Sequence, residues 1–201
     1  MNYKEYGCAD KETIILLHGG GLSWWSYREV AEKLSSDYHV ILPILDGHAG
    51  SDADFSSIED NAARLISFID EHLGGSVLFI GGLSLGGQVL LEMLAQRHDV
   101  CRHALIESAM ARPSRLTHAM IRPAFGSCHG LIRHRWFSRL QFRSLKIKAE
   151  LFEEYYRDTC GISKQNMIAF LEANALYAIK ASIADCCAKA SVLWGKRKTA
   201  Q

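Results

Sequence analysis

The chain has 201 residues, of which 48% are apolar and 22% charged, and its formal net charge is +1. That length fits one domain with a sizeable core, and the charge balance argues against an electrostatic nucleic-acid binder. Met1 to Tyr6 contain no apolar signal core, and no stretch is long enough to span a bilayer. The cysteines (Cys8, Cys101, Cys128, Cys160, Cys186 and Cys187) form no C-x-x-C, and two are adjacent. Neither a zinc site nor a disulfide framework is indicated, so reduced thiols in a cytoplasmic protein are expected.

Thr13-Ile14-Ile15-Leu16-Leu17 reads as a short buried strand ending at His18-Gly19-Gly20-Gly21. Three glycines there let the backbone pass close to a ligand. Trp24, Trp25 and Tyr27 begin a helix through about Leu34. The two indoles either wall a substrate site or anchor the helix to the sheet, and the sequence leaves both open. His39-Val40-Ile41-Leu42 is the next strand, stopped by Pro43, and a Gly-rich turn follows at Asp46-Gly47-His48-Ala49-Gly50-Ser51. Ser56-x-x-Glu59 has the form of a capping box opening a helix through about Leu73. Its apolar stripe is Ile58, Ala62, Leu65, Ile66 and Ile69. Gly74-Gly75 ends it.

The most informative stretch is Gly82-Leu83-Ser84-Leu85-Gly86, a G-x-S-x-G motif. The apolar run Val77-Leu78-Phe79-Ile80 before it suits a strand buried on both faces of a parallel sheet. A helical pattern follows, with Val89, Leu90, Met93 and Leu94 on one stripe and Gln88, Glu92 and Gln96 among the polar positions. Ser84 therefore sits at a strand-to-helix corner, the context of a nucleophile elbow. Side chains two residues either side would collide with neighbouring backbone, which explains the glycines. The helix aims its free N–H groups and its positive dipole end at the space beside Ser84.

His103-Ala104-Leu105-Ile106 is a further strand with Glu107-Ser108 at its carboxyl end. Such ends face the ligand crevice of an open parallel sheet, so Glu107 is a candidate catalytic acid or pocket residue. From 111 to 174 the character changes to arginines and lysines interleaved with aromatics, and Leu151–Tyr156 and Asn166–Ile179 have helical patterns. The basic side is either a solvated face or an attractor of anionic substrate. Ala190–Trp194 is a last strand turning at Gly195, and Lys196 to Gln201 form a basic, unpatterned tail.

In their order these elements resemble the α/β-hydrolase superfamily, in the branch with a single small helical cap. His18-Gly19-Gly20-Gly21 resembles its HGGG-type oxyanion loop, Gly47-His48-Ala49-Gly50-Ser51 its G-H-x-G-x-S-type turn, and Gly82–Gly86 its elbow. The resemblance implies an α/β-hydrolase fold over 1–201, a mostly parallel sheet flanked by helices, with 111–174 inserted as a helical cap. It implies a serine hydrolase of small esters or similar acyl substrates, with Ser84 as nucleophile and the N–H groups of Leu85 and Gly20 as oxyanion donors. Gly21 is the second choice of donor, and Gly21, Trp24 and Trp25 are the expected substrate-binding residues. His18 and His48 are implied to brace loops. No cofactor or metal is implied.

The C-terminus departs from that pattern. In the family the acid follows the serine and the histidine follows the acid. Here the turn after Trp194 is Gly195-Lys196-Arg197-Lys198, and no histidine occurs after His134. The sequence is therefore expected to be C-terminally incomplete, lacking a last strand, a last helix and the histidine loop. The Val192–Trp194 strand should then be an exposed sheet edge, for which the expected outcomes are homo-oligomer formation through it, low stability, or a partner chain that covers it. A serine without a base is a weak nucleophile. The second function open to the sequence is a non-catalytic ligand-binding or interaction module of the same fold.

Overall fold

The computed structural model describes residues 1–194, with the side chains of 126–128 excepted. The turn at Gly195 and the basic tail read from the sequence lie outside the described residues. The strands β1 (Tyr3–Tyr6), β2 (Thr13–Leu17), β3 (His39–Pro43), β4 (Val77–Leu83), β5 (Cys101–Glu107) and β6 (Lys189–Leu193) form one sheet in the order β1-β3-β2-β4-β5-β6. Only β1 runs antiparallel, against β3. The alternation within β2 shows why the short apolar run suffices. Ile14 and Leu16 pack towards α1 (Arg28–Leu34), whereas Ile15 and Leu17 pack towards α2 (Ile58–His72) and α3 (Leu85–Gln96). Both faces of a parallel strand are buried in this way.

Helix α2 begins one residue later than the capping box predicts. Ser57, not Ser56, is the N-cap, and its hydroxyl accepts the Asp60 N–H at 2.9 Å. Asp60, not Glu59, is then the acidic residue three positions on. Helix α3 also differs from its predicted amphipathic form, because Gln88 and Glu92 are fully buried. The inserted segment covers them. Gln88 donates to the carbonyls of Met110 (2.8 Å) and Asn174 (3.0 Å) and accepts from the Asn174 amide at 2.9 Å. Glu92 accepts from Lys180 at 2.5 Å.

Between β5 and β6 the chain runs through α4 (Arg115–Cys128), α5 (Arg135–Ser144), α6 (Phe152–Gly161) and α7 (Lys164–Leu176). A few polar joints fasten these helices to the body. The Trp25 indole N–H donates to Asp158 at 2.7 Å, Arg28 pairs with Glu154 at 3.1 Å, and Lys148 pairs with Glu29. Asn166 accepts the Phe55 N–H at 3.0 Å and donates to Asp54 at 2.8 Å.

The far side of the sheet is less complete. Every residue of β6 is exposed, including Val192 and Leu193, and no described strand pairs with its outer edge. On the α1 side, a cavity of about 530 Å³ opens beside α1, lined by Tyr27, Val30, Phe79, Leu105 and Glu107 among others. The run Val77–Ile80 is thus fully covered on the α2–α3 side and partly open on the other. The described cysteines, Cys8, Cys101, Cys160, Cys186 and Cys187, are free.

The buried joint to the inserted helices can be tested by mutation. Asp158→Ala leaves the buried Trp25 N–H without its acceptor and is expected to lower stability by about 1–3 kcal/mol in urea titration. Glu154→Ala removes only the more exposed pair with Arg28 and should change stability by less than about 1 kcal/mol.

Candidate active site

The corner at Ser84, the candidate nucleophile, is defined by backbone sterics. Ser84 has φ 52° and ψ −110°, a conformation side chains rarely adopt, and its N–H donates to the Glu107 carbonyl at 2.8 Å. Such strain persists only where the surroundings over-determine it. The two flanking glycines do so. A Cβ on Gly82 would lie 2.4 Å from the Gly86 carbonyl oxygen, and one on Gly86 would lie 2.3 Å from that of Leu17. The sequence motif is therefore a record of three backbone segments in direct contact.

Helix α3 starts immediately after Ser84, so its first N–H groups open towards the serine. Among the described residues, the N–H groups of Leu85 and Gly20 donate to no protein acceptor. The two residues are neighbours, since a Cβ on Gly20 would come 3.6 Å from Leu85 Cδ2. Gly21 differs. It has φ +74°, and its N–H is taken by His48 Nε2 at 3.1 Å. In this structure the Gly21 N–H therefore braces the loop against His48.

Two buried imidazoles strap the glycine loop to the turn after β3. Leu45 donates its N–H to His18 Nε2 at 3.1 Å, so the ring proton sits on Nδ1 and is donated to the Gly19 carbonyl at 3.0 Å. By the same logic His48 accepts from Gly21 and donates from Nδ1 to the Asp46 carbonyl at 3.1 Å. Burial holds both rings neutral, His18 with a pKa of about 3 and His48 of about 4. The rings meet edge to face at 4.9 Å, and His48 stacks on Phe170 of α7 at 4.7 Å. Phe170 also closes over Gly20, at 3.3 Å from where its Cβ would stand, and Thr159 of α6 donates to the Gly21 carbonyl at 3.4 Å. The inserted helices thus press directly on the glycine loop. The sequence carried no local signal for Phe170 or Thr159, because both contacts span more than a hundred residues.

Glu107 is adjacent to Ser84 through its carbonyl, while its side chain is exposed and lines the cavity beside α1. There its charge, together with burial, pushes the Tyr27 phenol up from its ordinary value. The contacts of both tryptophans are anchoring ones. Trp24 packs on the α1-side core under the cations of Arg28 and Lys4, and Trp25 is buried against Leu22, Phe142, Phe152 and Tyr155. His118 lies 3.9 Å from Glu172, and His134 caps α5 at the surface.

A family model described as the alpha/beta hydrolase family matches residues 14–195. The chain belongs to that family. It is similar to the uncharacterized hydrolase YugF of Bacillus subtilis, 29% identical over 100 residues that make up 49% of this chain and 37% of that protein. Among solved structures it resembles a thermophilic esterase from Thermogutta terrifontis, with TM-score 0.72 and 16% identity over 96% of this chain and 84% of the other. A structure from a study of carboxylesterases of Nitrososphaera gargenis superposes with TM-score 0.72 and 15% identity, covering 97% and 86%. The stretch matched to YugF is thus well under half of that relative's length.

Two predictions come from this geometry. Gly86→Ala has nowhere to place its methyl group and is expected to destabilise by about 3 kcal/mol or more. Gly130→Ala, with nothing within 4 Å of the added atom, should shift stability by less than about 0.5 kcal/mol in the same urea assay. The second concerns pH. His18 and His48 titrate near 6.5 when unfolded but near 3 and 4 when folded, so the unfolded chain binds more protons below about pH 6.5. Their contribution is complete above that pH and is lost as pH falls towards 4. Each adds up to about 1.4 kcal/mol per pH unit in that window, and His48→Gln should reduce the slope measured between pH 6 and pH 4.5 by about one histidine's share.

Proposed function

We propose that this chain is a serine hydrolase of small carboxylic esters or similar acyl substrates, acting through Ser84. The observation that carries the reading is the strained Ser84 corner, next to Leu85 and its neighbour Gly20, whose N–H groups donate to no acceptor among the described residues. Ser84 Oγ attacks the substrate carbonyl carbon, and the oxyanion formed is held by those two donors. One such donor lowers the barrier by about 3–4 kcal/mol. Collapse expels the alcohol with a proton and leaves an acyl group on Ser84. Water then attacks the acyl carbon and releases the acid. Esterase descriptions of structural relatives support this substrate class. Glu107, whose carbonyl receives the Ser84 N–H, is the proposed acid or pocket residue.

The proton on Ser84 needs a base, and the sequence has no histidine after His134. Of the late histidines, His118 lies 3.9 Å from Glu172, His134 stands at the start of α5 with no side-chain cap bond, and His129 Nε2 is buried without a partner among the described residues, while His18 and His48 are locked into loop bonds through both nitrogens. Turnover by these 201 residues is therefore expected to fall on the order of 10⁶ below that of a complete triad. The second reading is a non-catalytic ligand-binding or interaction module of the same fold.

The two readings separate in one experiment. A fluorophosphonate probe is expected to label the chain slowly at Ser84, faster with added imidazole, and Ser84→Ala should abolish labelling. Labelling that survives in Ser84→Ala, mapped to another residue by mass spectrometry, would reject the serine mechanism. No labelling with imidazole present, while an ester analogue still binds, would support the binding module.

A further inference from the structure

We propose that the outer face of α4 and α5 is a docking surface for anionic lipid bilayers, which the protein binds without crossing. Two independent observations support it. The first is charge. Between Glu107 and Glu150 the sequence contains no aspartate or glutamate but nine arginines and lysines, although the whole chain is nearly neutral. The cationic excess is thus concentrated in one stretch: Arg122, Arg135 and Lys148 pair with Glu172, Glu153 and Glu29, and the other six have no carboxylate partner among the described residues.

The second is that both helices turn apolar side chains outwards. In α4, Ile121 faces the interior, while Leu116 and Met120, one turn apart, are 78% and 59% exposed. In α5, Ser138 and Phe142 face inwards, while Trp136 and Leu140, again one turn apart, are 65% and 61% exposed. An ordinary surface helix buries its apolar stripe and shows its polar one. These helices show an apolar stripe as well, edged by arginines. Arg139 lies over the Phe152 ring, and Arg143, one turn on, has no carboxylate partner among the described residues. Exposed leucine and tryptophan next to arginine on consecutive amphipathic helices is the composition of an interfacial segment. The indole suits the headgroup layer, and the arginine stems reach past the apolar stripe to the phosphates.

A nucleic acid would use the charge but would leave Leu116, Met120 and Leu140 unexplained. A second copy of this chain would bring like charge against like charge at the same face. An anionic bilayer satisfies both halves of the surface. None of the described helices is long and apolar enough to cross a membrane, so the mode is attachment at the surface. The proposal needs no reaction at Ser84 and stands apart from the hydrolase reading.

Flotation with unilamellar vesicles tests it. The full chain should float with vesicles containing about one-third phosphatidylglycerol and stay behind with pure phosphatidylcholine, and binding should weaken as salt rises through the physiological range. The pair Trp136→Ser and Leu140→Ser should reduce binding at least about tenfold, as should Arg139→Glu with Arg143→Glu. All four positions are exposed, and circular dichroism should show the variants folded. Ser84→Ala should bind like the parent. Binding that resists the apolar substitutions would reduce the face to counter-ion attraction and overturn the proposal. Loss of binding on Val192→Ser with Leu193→Ser instead would move the contact to the sheet edge and overturn it equally. No flotation with anionic vesicles at low salt, or binding of double-stranded DNA that persists where vesicles fail, would also reject it.

Discussion

The structure depends on the absence of two side-chain carbons. At Gly82 and Gly86, carbonyl oxygens lie within 2.5 Å of where a Cβ would stand. Only this closeness lets β4 turn straight into α3 with Ser84 held at a positive φ. The consequences spread outwards from the corner. Because Gly86 rests on the β2 carbonyls, the start of α3 is fixed relative to the end of β2, and the glycine loop that leaves β2 is set beside the Leu85 N–H. The Ser84 corner, the start of α3 and the glycine loop are thereby brought together by packing alone.

What makes the loop hold its shape is a set of neutral imidazoles. His18 and His48 are each used at both nitrogens, as acceptor and as donor. A protonated ring could not accept, so the loop geometry is tied to the rings remaining uncharged. Burial secures that state at neutral pH. The two glycines differ accordingly: the Gly21 N–H is braced by His48, and the Gly20 N–H has no acceptor among the described residues. Phe170 and Thr159 extend the bracing to the inserted helices, so the loop is held from below by the sheet and from above by α6 and α7.

The sequence made local features legible and left distant ones dark. The apolar runs announced β2 to β5, and the glycine spacing announced the Ser84 corner, because both are written in consecutive residues. β1 went unread, since Tyr3-Lys4-Glu5-Tyr6 has no apolar signal and is a strand only because β3 pairs with it. The start of α2 was misplaced by one residue because Ser56 and Ser57 are both good caps, and tertiary packing chose between them. Gln88 and Glu92 read as a polar stripe because α3 was judged as a helix with one buried side. Their burial comes from the inserted segment, whose contacts lie far away in the chain. The bond from the Gly21 N–H to His48 was hidden in the same way, because no spacing reveals it.

The inserted helices begin and end almost at one point. Gln88 grips the carbonyls of both Met110 and Asn174, the Ser114 N–H donates to the Ala175 carbonyl at 2.8 Å, and the Ile179 N–H donates to the Ala111 carbonyl at 3.4 Å. A segment whose two feet are stapled together adds little closure entropy to the sheet, whatever its length. Its outer helices, α4 and α5, are then free to diverge while the Ser84 corner and the contacts of Phe170 and Thr159 stay as they are. Over evolutionary time, such an excursion is a replaceable attachment, in which a lineage can change what the molecule adheres to or admits without retuning the strained serine beneath.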